Sequence, residues 1–430
     1  MPINRIKALL VLSLACLLTF AASAPAIAQM LARPGWAGFG EKSEAWWKHP
    51  IVYEIDPHGF SSEGLKGIAQ RLDYIHSLGA DAILLTHIEP DEAHPQALDP
   101  AIGTLDDLDD LSRTASSRNM RILLDLGTLP AGTDLNSLAR LWLNRGLAGF
   151  RIANPQQADE LRKIAGSYIG ERIIIGDLDP AATGRQQPQL LLDASLAKVS
   201  QLSAAALRPV TVTRMSEAIQ SNPNSLLLAT DGPGIARSAA RLGDGRHNFD
   251  IAKVLAAALL TNRASSLIYY GQEIGLASDA PMPWGTPVVP AAAGARKPAH
   301  PAPANDPVSV AAQESDHASL LNWYRQLSAL HHSNRTLSSA PSIMLNHDDQ
   351  NVLAWVRRPE GASLKNPPLV VICNLSAQPV HLSLKDDMQK LHLRGNFLRT
   401  VIRSDKGMGP MTLDSMTIPA FTVYIGELKY

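Results

Sequence analysis

Cysteine is nearly absent from this chain, and neither sign of charge predominates. The 430 residues include two cysteines, with 39 basic and 40 acidic residues. Cys16 falls in an N-terminal apolar run that we expect to be removed, so the mature chain cannot form an internal disulfide. Cys373 lies in the apolar run 369–373, where we predict a buried, inert thiol. The balanced charge provides no field for steering to nucleic acid, so no nucleic-acid partner is expected.

Metal-binding patterns are missing as well. No spacing of cysteine and histidine is typical of a zinc site, and we predict neither a bound metal nor a cofactor.

The chain is long and rich in apolar residues. A chain of 430 residues that is 45% hydrophobic can form one large domain and a smaller one.

The first 28 residues have the pattern of a secretory signal peptide. Arg5 and Lys7 form a basic start, residues 8–22 form an apolar run, and residues 26–28 read Ala-Ile-Ala. We predict cleavage before Gln29 and a secreted or periplasmic protein, with no stable membrane insertion once the leader is removed. An uncleaved membrane anchor is the alternative.

Apolar strand-like runs alternate with helical stretches after residue 50, and the helical spacing is clearest over 65–78, 135–144 and 315–330. Near-continuous apolar runs are typical of parallel strands that are buried on both faces. About eight strand–helix units predict a TIM (β/α)8 barrel over residues 51–338, after a lead-in at 29–50. The predicted strands are 51–56, 82–88, 121–126, 147–153, 172–177, 189–194, 226–231 and 266–271.

Two later regions interrupt this alternation. Residues 281–308 are rich in proline and alanine, so we expect a long loop without regular structure at the catalytic face of the barrel. A linker without function is the alternative. Residues 339–430 contain short apolar runs at 352–357, 369–375, 380–384 and 417–425, which predict a small C-terminal antiparallel β-sandwich domain.

Several segments, taken in order, resemble the α-amylase superfamily, glycoside hydrolase family 13. They are WWKHPIVYEI at 46–55, the run 65–83, LDPAIGT at 98–104, GLAGFRIA at 146–153 and IYYGQEIG at 268–275. The resemblance implies an α-amylase-like barrel and a role in carbohydrate metabolism. It also implies that position 153 corresponds to the family's nucleophilic aspartate, the last residue of Gly-Phe-Arg-x-Asp. This chain has Ala153 there.

Other positions of the implied site also depart from the family. The Asn and His expected after the third strand are Leu129 and Pro130, which cannot ligate calcium or donate a side-chain hydrogen bond. The proton donor expected on the fifth strand as Glu is Asp177, and only Asp231 remains of the Asn-His-Asp expected on the seventh. The domain that the family inserts after the third strand is absent. These losses also resemble the ectodomains of amino-acid-transporter heavy chains, which act as partner proteins.

The resemblance and the strand ends give a set of candidate site residues. We assign Asp177 and Asp231 to a degenerate catalytic pair, and Arg151, Asp99, His87 and Trp284 to substrate binding. Each has a structural alternative: Arg151 pairs with Asp125 or Asp231, and Asp99 caps the turn before Pro100. The remaining alternatives are a structural role for His87, a hydrophobic anchor for Trp284, a solvated loop carboxylate for Asp177 and a turn before Gly232-Pro233 for Asp231.

Three functional hypotheses follow. The first is a catalytically impaired pseudoenzyme that binds an α-glucan, an α-glucoside or a protein partner, because an alanine cannot form a glycosyl-enzyme ester. The second is an active α-glycoside hydrolase or transglycosylase in which Asp177 and Asp231 form an inverting acid–base pair, about 6.5–9.5 Å apart. The third is a structural protein whose barrel mouth is plugged by residues 276–314.

Overall fold

The computed structural model describes residues 44–91, 93–178, 188–208, 226–285, 306–363 and 365–430. The predicted signal peptide, most of the lead-in and residues 286–305 of the proline-rich segment lie outside the described residues. Residues 46–430 form one compact unit. In the described part of the chain, no helix is long and apolar enough to cross a membrane.

Eight parallel strands form a closed barrel in chain order, which confirms the predicted TIM barrel. Each predicted strand corresponds to an observed one, usually shorter by one to three residues at its ends. The strands are β1 Ile51–Ile55, β2 Ala82–Leu85, β3 Arg121–Asp125, β4 Gly149–Ile152, β5 Ile173–Asp177, β6 Leu190–Asp193, β7 Leu226–Ala229 and β8 Ser265–Tyr269.

Alternation of side chains along these strands fills the barrel and covers its outside. Inward-facing Val52, Leu123, Leu227 and Leu267 form a buried cluster in the lumen. Outward-facing residues such as Ile122 and Phe150 belong to a second core beneath the helices. Burial on both faces explains why the strands read as near-continuous apolar runs.

The helices that surround the barrel differ in places from the predicted ones. The stretch predicted as one helix over 65–78 is divided at Arg71, and the helix predicted to begin at 315 begins after Ser319, whose hydroxyl accepts the Asn322 N–H. Among the described residues of 46–430, the α-helices are Pro57–Phe60, Gly64–Gln70, Leu72–Ser77, Leu105–Ser117, Leu135–Leu143, Pro155–Ala165, Ala204–Arg208, Ser238–Leu242, Asn248–Leu260, Val310–Glu314, Leu320–Ser333, Arg335–Ser339 and Lys385–Lys390. Short 3-10 helices lie at Trp46–Lys48, Leu196–Lys198 and Gln272–Ile274.

Gly149 shows why the glycine before Phe150 and Arg151 is needed. Its φ is 151°, and an added Cβ would lie 1.9 Å from the carbonyl oxygen of Ile173 on β5. Only glycine allows β4 and β5 to approach this closely. In the β4–β5 register Arg151 pairs with Ile175, and Ile175 lies two residues before Asp177.

The C-terminal region is antiparallel, as predicted, and forms two sheets. Its strands are β9 Ser342–Leu345, β10 Val352–Arg357, β11 Leu369–Asn374, β12 Val380–Leu382, β13 Phe397–Arg403, β14 Met411–Thr412, β15 Met416–Ile418 and β16 Val423–Lys429. Six of them pair in the order β14-β13-β16-β11-β10-β9, and β12 pairs with β15. The single strand predicted over 417–425 is in fact β15 and the start of β16, because the chain turns between them at Phe421, whose φ is 43°.

The two faces of the large sheet pack against different partners. Leu353, Trp355 and Cys373 join the core of the barrel, whereas Val370, Ile372 and Met416 form a separate core with β12, β15 and the helix Lys385–Lys390. The Cys373 side chain is fully buried, and burial raises the pKa of its thiol. The predicted burial of this thiol is thereby confirmed, and a buried thiol with a raised pKa is expected to be inert.

Candidate functional site

Arg151 links three neighbouring strands at the carboxyl end of the barrel. From β4, its guanidinium donates to Asp125 on β3 at 3.2 Å and to both oxygens of Asp177 on β5 at 2.7 and 3.0 Å. The predicted pairing with Asp125 is therefore present, whereas the second partner is Asp177 rather than Asp231. The register of parallel strands brings the three ends together, as expected for a barrel mouth.

Burial and charge act against each other in this cluster. Burial raises the pKa of Asp125, although the Arg151 guanidinium and the Gly127 N–H act in the opposite direction. Arg151 is desolvated too, but the two carboxylates raise its pKa above the ordinary value. Deeper in the lumen, burial and the nearby Asp125 raise the pKa of Glu54 well above its usual range. One guanidinium therefore faces three acidic groups, and burial favours the neutral form of two of them, Asp125 and Glu54.

The predicted nucleophile position carries no oxygen on its side chain. Ala153 follows β4, and its N–H donates to the Gly127 carbonyl at 2.9 Å. Leu129 is buried in the barrel's outer core and Pro130 is exposed, so the loop after β3 presents no polar side chain at either position. Asp177 is 42% exposed, yet both of its oxygens bond Arg151.

Asp231 is sealed inside the protein, where it bonds the first residue of a helix. It is 1% exposed, and its two oxygens accept from the Ser238 N–H at 2.8 Å and the Ser238 hydroxyl at 2.9 Å. Burial raises its pKa, with the hydrogen bonds from Ser238 acting in the opposite direction. The carboxylate thus anchors the helix Ser238–Leu242, and the structure does not bring Asp231 together with Asp177 in one ion-pair cluster.

A second polar cluster joins the ends of β1 and β2 in a chain of alternating imidazoles and carboxylates. His87 Nδ1 lies 3.0 Å from Asp56 Oδ2, and Asp56 Oδ1 lies 3.1 Å from His58 Nδ1. His58 Nε2 then lies 3.0 Å from Asp99 Oδ2, and the other oxygen of Asp99 accepts the Ala101 N–H. Asp99 therefore caps the turn at Pro100, as the structural alternative predicted, and also holds His58.

The pKa values of His87 and Asp56, the first two residues of this His–Asp chain, are both shifted. The hydrogen bond to Asp56 raises the pKa of His87, against the effect of burial. Burial acts to raise the pKa of Asp56, but hydrogen bonds from His87 and from the His58 N–H lower it overall. Both shifts favour an ion pair between His87 and Asp56. Among the described residues, no group of three or more His, Cys, Asp or Glu has a metal-binding arrangement.

A cavity of about 320 Å³ lies at this side of the barrel mouth. Asp56, His58 and His87 form one wall, and Tyr269 and Tyr270 belong to another. Asp279 and Pro281 close it from the start of the proline-rich segment. The described lining residues do not include Arg151 or the two predicted catalytic carboxylates. The cavity and the degenerate catalytic positions are therefore separate parts of the mouth.

Trp284 lies away from this cavity and holds the proline-rich segment to the barrel. Its indole N–H donates to the Phe60 carbonyl at 2.8 Å, and its ring makes edge contacts with Phe60 and Tyr74 at centroid distances of 5.0 and 5.1 Å. The Arg71 guanidinium covers the ring at 4.3 Å. Through these contacts the indole anchors the proline-rich segment to the barrel. Trp284 is not among the described residues that line the cavity.

Sequence comparison connects this barrel with sugar enzymes and with a transporter subunit. Residues 53–128 match the family profile described as alpha amylase, catalytic domain. Trehalose-6-phosphate hydrolase of Escherichia coli (strain K12) is 44% identical over 95 residues, 19% of this chain and 17% of that protein. The amino acid transporter heavy chain SLC3A2 of Oryctolagus cuniculus is 23% identical over 355 residues, 72% of this chain and 65% of that protein. The matches thus span less than two thirds of these relatives.

Solved structures extend the similarity to the β domain. Trehalose-6-phosphate hydrolase of Bacillus licheniformis has a TM-score of 0.75 at 16% identity, covering 90% of this chain and 100% of that chain. Isomaltulose synthase from Klebsiella sp. LX3 has a TM-score of 0.74 at 17% identity, with the same coverage. This chain has the α-amylase fold. The resemblance inferred from the sequence is therefore confirmed.

The α-amylase fold of this chain lacks the inserted domain, as predicted. Between β3 and β4, residues 126–148 form a loop, the helix Leu135–Leu143 and a turn. Asp56 and His58, which hold His87 and Asp99, are not among the site residues predicted from the sequence. A signal was present, because Asp56 directly follows β1 and therefore lies at the catalytic face of the barrel. Glu54, which faces the lumen, was missed because it lies within an apolar strand.

Proposed function

We propose that this protein is an exported α-amylase-like protein that has lost retaining glycosidase activity and binds an α-glucoside or α-glucan at its barrel mouth. The observation that carries the proposal is Ala153 at the nucleophile position. A retaining mechanism needs a carboxylate that attacks the anomeric carbon and a second that protonates the leaving oxygen. A methyl group cannot form the ester.

The remaining carboxylates support the same conclusion. The Asp177 side chain is one methylene shorter than glutamate and is held by Arg151, so it is poorly placed to protonate a leaving group. The alternative is an inverting hydrolase or a transglycosylase that uses Asp177 and Asp231. It is less well supported because Asp231 is 1% exposed and both of its oxygens bond Ser238.

Sugar binding is supported by the mouth cavity. Its volume of about 320 Å³ is at the small end of ligand pockets, which suits one or two sugar rings. Hydroxyl groups of a sugar need donors and acceptors, which His87 Nε2 and Asp279 Oδ2 supply, while Tyr269 and Tyr270 offer ring surface. The relatives with printed glycosidase names are consistent with a glucoside as the ligand.

The activity test uses purified mature protein with starch, maltose, sucrose, trehalose and p-nitrophenyl α-glucoside. We expect no turnover above the uncatalysed rate. Turnover that disappears in Asp177→Asn would overturn the proposal and support the altered-chemistry alternative. Turnover that survives the substitution would indicate a contaminating enzyme.

The binding test measures stabilisation of the folded protein by neutral oligosaccharides. A ligand at about 100 times its Kd stabilises by about 2.7 kcal/mol, which a thermal-shift experiment detects. We expect maltose or isomaltose to raise the Tm of the wild type and to have little effect on His87→Ala. Trp284→Phe serves as the control, because it lies outside the cavity. No shift with any sugar would support a plugged mouth instead.

A partner protein is the second candidate. It is favoured by the similarity to the transporter heavy chain SLC3A2, which extends over 72% of this chain. Native electrophoresis of the protein from its own cells, compared with the purified chain, tests this candidate. A larger complex that contains a second, stoichiometric polypeptide would support it, and identical mobility would argue against it.

Export rests on the leader pattern alone. N-terminal sequencing of protein from the periplasm or the culture medium tests it. A sequence that begins at Gln29 supports cleavage, whereas an intact start with membrane-bound protein supports an anchor.

A further inference from the structure

A cleft of about 1110 Å³ lies on the side of the molecule away from the barrel mouth. Arg263 precedes β8, so it marks the amino-terminal face of the barrel. Arg358, just after β10, and Arg394, after the helix Lys385–Lys390, line the cleft from the C-terminal domain. Arg335, from the helix Arg335–Ser339, completes the set. We call this site the basal cleft.

Where the structure describes its lining, the four arginines of the basal cleft are not matched by acidic side chains. None of its four arginines forms an ion pair with a carboxylate in the described part of the chain. Among the described lining residues, the one acidic side chain is Glu360, which is exposed at the rim. The Nε atom of half-buried Arg263 is shielded from solvent and has no hydrogen-bond partner.

A fifth arginine lies directly behind the cleft wall. Arg357 is fully buried at the end of β10, and its guanidinium donates only to backbone carbonyls, among them Thr261 at 2.7 Å and Ala340 at 3.0 Å. Burial, together with the charge of Arg263, lowers the pKa of Arg357. A buried cation without a counter-ion is costly, and a bound anion would offset part of that cost.

Another basic cavity provides a contrast within the same molecule. It is lined by Arg113 and Arg145, among others, but these pair with Asp110 at 2.7 Å and with Asp109 at 2.9 Å. Its positive charge is therefore partly neutralised by the protein itself. Arg121 and Arg172 also line this second cavity without an ion pair to any described residue, so the basal cleft differs in that none of its four arginines has one.

We propose that the basal cleft binds a small oligoanion that carries two or more phosphate, sulfate or carboxylate groups. The planar guanidinium fork matches the oxygens of each of these groups, and a concave site between low-dielectric walls strengthens the attraction. The volume suits a ligand of several such groups rather than a single ion. This site is independent of the sugar site proposed at the barrel mouth.

The test is isothermal titration of the whole protein with tripolyphosphate, citrate and sucrose octasulfate, with neutral sucrose as the control probe. The three anions distinguish phosphate, carboxylate and sulfate as the preferred group. We expect one site per chain for at least one anion, and weaker binding at higher salt because the attraction is electrostatic.

Substitutions locate the site. Arg263→Gln and Arg335→Gln should each weaken binding about tenfold, the usual effect of losing a charge-assisted hydrogen bond. Arg140→Gln removes the same charge from an exposed helix position outside the cleft and should change affinity less than about twofold. Should Arg263→Gln fail to fold, Arg394→Gln, at an exposed position, replaces it.

Three results would overturn the proposal. One is the absence of saturable binding by all three anions. Another is binding that none of the cleft variants weakens. The third is an equal loss in Arg140→Gln, which would indicate a general charge effect. Maltose binding at the mouth should be unchanged in every variant, so failure of the sugar proposal and failure of this one can be told apart.

Discussion

Single side chains at the barrel mouth bond mainly to one another. Arg151 satisfies Asp125 and Asp177, Asp231 is satisfied by Ser238, and His87 contacts Asp56. A catalytic carboxylate must instead face the substrate during the reaction. At this scale, neither Asp177 nor Asp231 is free to supply the oxygen that the side chain of Ala153 lacks.

The His87–Asp56 contact predicts a specific pH dependence. The pKa of His87 is raised in the folded state, so protonation stabilises the fold. The stabilisation is complete below the ordinary histidine pKa of about 6.5 and is lost as the pH rises through the raised value. His87→Gln removes the titrating group. We therefore expect the Tm of the wild type to fall more than that of the variant between pH 5.5 and 8.5. Parallel curves would contradict this account.

Elements of the fold could be predicted from the sequence where one physical signal dominated. The barrel strands were found because both faces are buried, and each run is therefore apolar. Strand β13 was missed because its burial is partial and its polar residues obscure the alternation.

The candidate site was less predictable than the fold, since the chain of contacts from His87 to Asp99 joins residues that are far apart in sequence. Nothing in local spacing indicates that Ser238 is the partner of Asp231.

Arg151 links β3, β4 and β5 through Asp125 and Asp177. We expect substitutions of Arg151 and Asp177 to reduce the free energy of unfolding by different amounts. Arg151→Gln leaves Asp125, which is 13% exposed, without its counter-ion and should reduce the free energy of unfolding by about 2–4 kcal/mol. Asp177→Asn removes a more exposed partner, 42% accessible, and should cost about 1 kcal/mol or less. Urea unfolding of both variants measures the difference. Equal losses would show that Asp125 does not depend on Arg151.

The start of the proline-rich segment provides a test of anchoring. Trp284→Ala removes the ring contacts with Phe60, Tyr74 and Arg71 and should reduce stability by about 2–3 kcal/mol. The affinity for maltose should be unchanged within about twofold, provided that measurements are made below the lowered Tm. A large loss of affinity with unchanged stability would instead assign Trp284 to the sugar site.

At the scale of the whole molecule, residues 46–430 form one compact unit. The large C-terminal sheet contributes Trp355 and Cys373 to the barrel core, and Arg357 bonds the Thr261 carbonyl just before β8. Such shared burial couples the unfolding of both parts. This arrangement is consistent with the proposal that the scaffold is kept although retaining catalysis is lost.

Coupled unfolding is itself testable. Calorimetry should show one transition for the barrel and the β domain together, and tryptophan fluorescence and circular dichroism should follow the same curve. A chain that ends at residue 338 should not fold, because it exposes the barrel face that the sheet covers. Two separated transitions would contradict the coupling.

The most direct test of the account is a search for a glycosyl-enzyme ester. The protein is incubated with an activated fluoro-glycoside that traps the covalent intermediate of retaining glycosidases, and its intact mass is then measured. We predict an unchanged mass, because position 153 has no oxygen that could attack. A mass increase of one glycosyl group, mapped to a carboxylate at the barrel mouth, would contradict the claim that this chain has lost retaining catalysis.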